Sequence, residues 1–249
     1  VLGRVLNALA NDFDMKLSTL SGGLKDNAIP TDAEAVVIFS DTDMSDINTP
    51  GHADIPANSA HASLQDLISK WNQIIRHEYT HTDPDICITL EPVDLPAATM
   101  TDTSTHTVID VLMTYPNGVR KMSKDIAGLV QTSLNLGILS TIKPDGQSTN
   151  GMVSFKSSVR SSIGSEKDAL LNSLKSLATL AGGTLTVAGD YPAWEYREDS
   201  PLRDLMVKIF KQQYGKEPVI QALHAGVECG IFASKLPGLD CVSFGPDMD

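Results

Sequence analysis

The chain has 249 residues, 41% of them hydrophobic and 20% charged, and 19 basic against 31 acidic residues leave a net charge of −12. The apolar content suffices for a buried core, and the length suits one and a half to two domains. The acidic balance argues against nucleic acid or an anionic membrane as partner, and the apolar runs are too short to span a bilayer.

The first elements are legible in their periods. Val1, Leu2, Val5, Leu6 and Leu9 fall on one helical face, which predicts a helix ending near Asn11. A chain that opens inside such a pattern reads as a piece of something longer, and its first residues lack the marks of a signal peptide. "MKLSTLSG" alternates as a strand and is broken by Gly22-Gly23; a turn through "NAIP" leads to the strand "AEAVVIFS" at 33–40. A Pro-, Gly- and Asp-rich loop follows, then a helix at about 62–78 and a strand "DICITLEPV" at 85–93.

The second stretch predicts a strand at 106–116, a helix at 123–136 with Ser123 as N-cap, and the strands "LGILSTIKP" and "GMVSFKSSVR". A helix at 165–181 and the strand "TLTVAGDYP" complete it. This order is a split βαβ unit, two helices on one face of an antiparallel sheet. With one further strand before Val1, residues 1–95 would form the same unit as 105–192. From about 190–195 the texture changes to helix (200–214), strand "PVIQAL", helix and strand "DCVSFG", the order of a parallel α/β sheet.

Three places invite chemistry. "HAGVECG" puts His224, Gly226, Glu228 and Cys229 where a strand should pass into a helix, the usual ligand position of an open α/β sheet. No third or fourth ligand at suitable spacing completes a zinc site, so substrate contact and plain structural turn both stay open. Cys229 reads as a buried small residue rather than a nucleophile, and the irregular set Cys87, Cys229 and Cys241 points to a reducing compartment. Asn27 lies in "SGGLKDNAIP", where Gly, Asn and Pro are turn residues for steric reasons. Arg160 ends a Ser- and Val-rich strand, either as a solvated edge charge or as a bidentate partner for a carboxylate. His77 and His81 are four apart in a polar, exposed-looking helix end.

Taken together, "SGGLKDNAIP", "YPNGV", "SLNLG", the strand ending at Arg160 with "SSIGSEKDAL" after it, "GDYPAWEYREDSPL" and "HAGVECGIFASKLPGLDCVSFGP" resemble one family. It is the aminoacyl-histidine (Xaa-His) dipeptidases, or peptidase D, relatives of carnosinase and carboxypeptidase G among the di-zinc peptidases. The resemblance runs essentially end to end. It implies an α+β lid of two βαββαβ-type two-layer sandwiches over 1–192, followed by an incomplete α/β catalytic segment over 193–249.

The same resemblance implies a cytoplasmic enzyme that hydrolyses Xaa-His dipeptides with a metal-activated water and two zinc ions. The family's zinc ligands and general base have no counterparts in this chain, so it would carry no catalytic residue, and alone it would be inactive. What it would supply is recognition. Arg160 matches a strand-borne Arg expected to bind the substrate's C-terminal carboxylate, and Asn27 matches a lid Asn that reaches the substrate. His224, Gly226 and Glu228 match a loop bordering the pocket. The turn continues "NAIPTDA" where relatives often carry a basic residue after the Pro, which argues against a charge contact to the substrate from it. Pairing of two chains through the lid stays open, because a doubled lid can supply that pairing internally. The rival reading is a lid, dimerisation or ligand-binding module with no chemistry of its own.

Overall fold

A computed structural model describes residues 1–40, 59–142, 151–220 and 228–245. Its contacts gather into two units, one of residues 1–115 and 136–156, the other of 116–135 and 157–249.

In the first unit α1 (Leu2–Asp12) buries Val5, Leu6 and Leu9, as the 3.6-residue period requires. β1 (Met15–Gly22) pairs antiparallel with β2 (Ala33–Phe39), from Met15 opposite Phe39 to Gly22 opposite Ala33. Its other edge meets β4 (Val130–Ile142), with Ser21 opposite Ser140 and Gly22 opposite Leu139. Leu17 and Leu20 of β1 are fully buried against the α1 stripe and against Leu64 and Ile68 of α2 (Ser59–Glu78). Burying such a side chain contributes about 1.5–3 kcal/mol. Arg4 joins α1 to α2: its guanidinium forks onto the Glu78 carboxylate at 2.6 and 2.8 Å and lies 5.0 Å over the Trp71 ring.

Residues 106–116 are not the expected strand: 106–114 belong to helix α3 (Asp102–Thr114). Thr101 caps it by accepting from the Ser104 N–H at 3.1 Å, and Thr105 and Ile109, four apart, both face inward. The β-branched residues that suggested a strand serve as the inner stripe of this helix. Residues 85–93 also carry no strand. Asn72 of α2 takes both backbone bonds of Ile88, each at 2.8 Å, and so occupies the groups a neighbouring strand would need.

In the second unit β3 (Gly118–Met122) pairs antiparallel with β4, Gly118 opposite Leu134 and Met122 opposite Val130. β5 (Met152–Ser161) also pairs with β4 and leads into α4 (Gly164–Leu180). The helix expected at 123–136 is replaced by a single turn and a strand. The Ser123 hydroxyl accepts from the Asp125 and Ile126 N–H groups, each at 3.2 Å, but Gly128 at φ +79° ends the turn. From Val130 on the chain is strand, with Gln131, Thr132, Leu134, Gly137 and Leu139 buried. The element order over 102–180 is therefore helix, strand, strand, strand, helix, and the expected βαββαβ sandwich is not matched there. The mixture of helices with antiparallel strands agrees with the α+β expectation.

Residues 184–192, and the described parts of "PVIQAL" and "DCVSFG", form no strand. A strand needs a neighbour to take its backbone groups, and among the described residues none pairs with these segments. The helices expected there are formed, as α5 (Pro201–Tyr214) and α6 (Glu228–Lys235).

Candidate substrate-binding residues

Asn27 sits in the first unit at an exposed turn closed by an Ala28 N–H to Lys25 O bond of 3.3 Å. The turn rests directly on β4. A Cβ on Gly137 would come within 2.4 Å of the carbonyl oxygens of both Lys25 and Asp26, and one on Gly23 (φ +68°) within 1.9 Å of the Gly137 oxygen. Only glycine at both places lets the two backbones lie this close. Lys156 of β5 steadies the turn through Asp26 at 3.4 Å. The Asn27 amide makes no hydrogen bond to any described residue and points a donor and an acceptor outward.

Arg160 belongs to the second unit, on β5 one residue before a junction held from both sides. The Ser161 hydroxyl bonds Thr132 Oγ1 at 2.9 Å, and the Ser162 N–H donates to the Gln131 carbonyl at 3.0 Å. At the start of α4 the Gly164 N–H donates to Glu195 Oε1 at 3.3 Å. Arg160 is thus carried on a fixed backbone.

Its side chain differs from the other arginines. Arg4, Arg76, Arg197 and Arg203 all donate to a carboxylate or to carbonyls, and Arg120 is exposed. Arg160 is half-buried, and among the described residues none pairs with it. A partly desolvated guanidinium without an acid beside it is a cost that a bound carboxylate would offset.

Glu228 is the first residue of α6, exposed, where the helix dipole favours a carboxylate. Gly230 is pressed against the Pro192 carbonyl, which a Cβ would approach to 2.8 Å. Cys229, between them, is half-buried, and burial, with Cys241 and Glu228 beside it, pushes its thiol above the usual range. That environment suits the inert reading of this cysteine. His224 and Gly226 lie outside the described residues. The structure therefore describes Asn27, Arg160 and Glu228, the first within one unit and the other two within the second.

One cluster escaped the sequence reading. Buried Ser200 caps α5, and its hydroxyl also donates to Asp240 Oδ1 at 2.7 Å. Asp240 Oδ2 accepts from the Leu202 N–H at 2.9 Å, and these bonds hold its carboxyl below the usual Asp range. Arg197 donates to the Gly238 carbonyl at 3.0 Å, and Arg203 to the Arg197 carbonyl at 2.7 Å. "DSP" was a readable cap signal, whereas nothing local marked Asp240 as its partner.

The zinc ions implied by the resemblance find no ligand set here: among the described residues no three His, Cys, Asp or Glu side chains are grouped to hold a metal. No helix of the described residues is long and apolar enough to cross a membrane.

The resemblance read from the sequence is borne out: the chain is similar to a stretch of a peptidase D-like dipeptidase. The chain is 31% identical over 248 residues to the cytosol non-specific dipeptidase of Escherichia coli (strain K12), covering 100% of itself and 46% of that protein. The crystal structure of the aminoacylhistidine dipeptidase from Vibrio alginolyticus superposes with a TM-score of 0.83 at 30% identity, over 98% of this chain and 45% of that one. The chain thus spans just under half the length of each of these relatives. No family model matches it.

Proposed function

We propose that this chain is the substrate-gripping part of a cytosolic dipeptidase that hydrolyses Xaa-His dipeptides. The observation that carries the proposal is Arg160, a half-buried guanidinium on a fixed strand with no acid beside it among the described residues. Its planar fork fits the free C-terminal carboxylate of a dipeptide, which it would hold through two parallel hydrogen bonds. Asn27 and Glu228, which the resemblance assigns to substrate contact, offer an exposed amide and an exposed carboxylate. Residues 1–192 would act as the lid and 193–249 as part of the catalytic domain. The chemistry of this chain is then binding and orientation. Zinc, which the resemblance implies, would be held by other parts of a longer protein, and the chain alone would not hydrolyse peptides.

The support is the end-to-end likeness to a cytosolic dipeptidase and to an aminoacylhistidine dipeptidase. The test is the hydrolysis of a Xaa-His dipeptide and of its C-terminal amide by the intact enzyme and by Arg160→Ala. The variant should lose rate on the free dipeptide and little on the amide. Equal losses on both would remove Arg160 from carboxylate binding.

A further inference from the structure

Arg160 is the last residue but one of β5, at the end where a strand frays first, and no described residue pairs with its side chain. What braces this end of the strand is the residue after it. The Ser161 hydroxyl gives its one proton to the Ile163 carbonyl at 2.9 Å and accepts the Ile163 N–H at 3.1 Å. The 2.9 Å bond between Ser161 Oγ and Thr132 Oγ1 therefore has the threonine as its donor. Thr132 is buried inside the sheet, with β5 on one side and Lys121 of β3 as its register partner on the other. The Lys121 ammonium is bound in turn to Glu166 of α4, so Thr132 belongs to a braced part of this unit. Successive side chains of a strand point to opposite faces of the sheet. A bond that keeps Ser161 on one face thus keeps Arg160 on the other.

We propose that Thr132 is a positioning residue for Arg160: acting through Ser161, its hydroxyl fixes the face and angle at which the guanidinium meets the substrate's carboxylate. This role rests on the reading of Arg160 as the carboxylate-binding group, and it adds the group that aims it. A planar fork makes two parallel hydrogen bonds only over a narrow range of approach, so a small roll of the strand end weakens it more than it would a point charge. Valine at 132 would fill the same space with no proton to donate. Ser161 would then keep only its bonds to Ile163, which moves with it, and the side-chain tie across to β4 would be gone. The 3.0 Å bond from the Ser162 N–H to the Gln131 carbonyl stays in place and keeps the two backbones paired. The change expected is therefore in the aim of Arg160 rather than in the fold.

The experiment compares the intact enzyme with Thr132→Val, Thr132→Ser, Arg160→Ala and the double variant Thr132→Val/Arg160→Ala. Each is assayed on a Xaa-His dipeptide and on its C-terminal amide. Thr132→Val should lower kcat/KM on the free dipeptide by about three- to tenfold, mostly through KM, and change the amide little. Thr132→Ser keeps the donor and should recover the parent value. Once Arg160 is absent, Thr132→Val should add no further loss. If Thr132→Val does not fold, Ser161→Ala breaks the same bond from its other end and should show the same selective loss. Equal losses on both substrates, or a loss that persists without Arg160, would make Thr132 a packing residue and overturn the proposal. So would full activity of Thr132→Val and Ser161→Ala beside a selective loss in Arg160→Ala. A loss in Arg160→Ala that is equal on both substrates would instead remove the carboxylate reading itself, and the positioning role with it.

Discussion

Asp240 and Ser200 share the start of one helix. The Asp240 carboxylate accepts the Ser200 hydroxyl proton at 2.7 Å and the Leu202 N–H at 2.9 Å, while the Ser200 oxygen accepts from the Arg203 N–H at 3.2 Å. A helix N-terminus leaves its first N–H groups unpaired, and here two residues from different parts of the chain divide that work.

Removing the buried Ser200 hydroxyl should therefore cost more than an exposed cap. Ser200→Ala is expected to destabilise the chain by about 1–2 kcal/mol, read as a lower urea midpoint at unchanged slope. An unchanged midpoint would mean that Asp240 alone caps α5.

The same carboxylate gives stability a pH dependence. Asp240 is held below its ordinary pKa by the Leu202 N–H and then by Ser200, so the unfolded chain binds its proton more readily than the folded one. Its contribution is present above the unfolded value of about 3.9 and fades as the pH falls through the lower folded value. Asp240→Asn should flatten that acid limb of a urea-midpoint-against-pH curve. A variant that follows the parent curve below about pH 4 would remove Asp240 from the acid response.

Thr105 is fully buried on α3, and its Oγ1 accepts the Leu17 N–H of β1 at 3.1 Å. Thr105→Val keeps the volume and strands that donor, with an expected cost of about 1–3 kcal/mol. Faster amide exchange at Leu17 would accompany it. Protection unchanged at Leu17 would show another acceptor taking the bond.

The elements carried by an apolar period were legible in the sequence: α1, β1, β2 and α5 fall where their patterns put them. The failures share a cause, since one local signal was read without its competitor. The Ser123 hydroxyl does accept from the backbone ahead of it, yet with Gly128 at positive φ the segment makes a turn and no helix. Val108 and Ile109 suggested a strand, and the cap at Thr101 decides for a helix. Ile88 lies in a strand-like run, but Asn72, sixteen residues earlier, takes its backbone bonds. Among the site residues, the turn at Asn27 and the strand at Arg160 were readable. That Arg160 is half-buried without a partner is a tertiary fact that no local pattern encodes.

The Asn27 turn depends on a residue far from it in sequence. Gly137→Ala would drive a Cβ to 2.4 Å from the Lys25 and Asp26 carbonyls, both backbone atoms that cannot rotate away. The expected result is a loss of more than about 2 kcal/mol, or a displaced turn seen as faster proteolysis at 24–29. In the intact enzyme the displaced turn should raise KM more than it lowers kcat. Stability, proteolysis and kinetics all unchanged would show that the turn does not need this close approach.

Arg160 decides the functional reading. In the intact enzyme Arg160→Ala should lower kcat/KM on a free dipeptide by roughly 2–3 kcal/mol, some thirty- to a hundredfold or more, the range for a charged hydrogen-bonded pair. Arg160→Lys should recover only part of this, because a point charge replaces a planar fork. On the dipeptide amide, which has no carboxylate to pair, the three proteins should differ little. The urea midpoint should not fall in Arg160→Ala, since no described acid loses a partner and a half-buried unpaired charge is removed. A fall in stability together with equal losses on both substrates would instead make Arg160 a structural residue of β5.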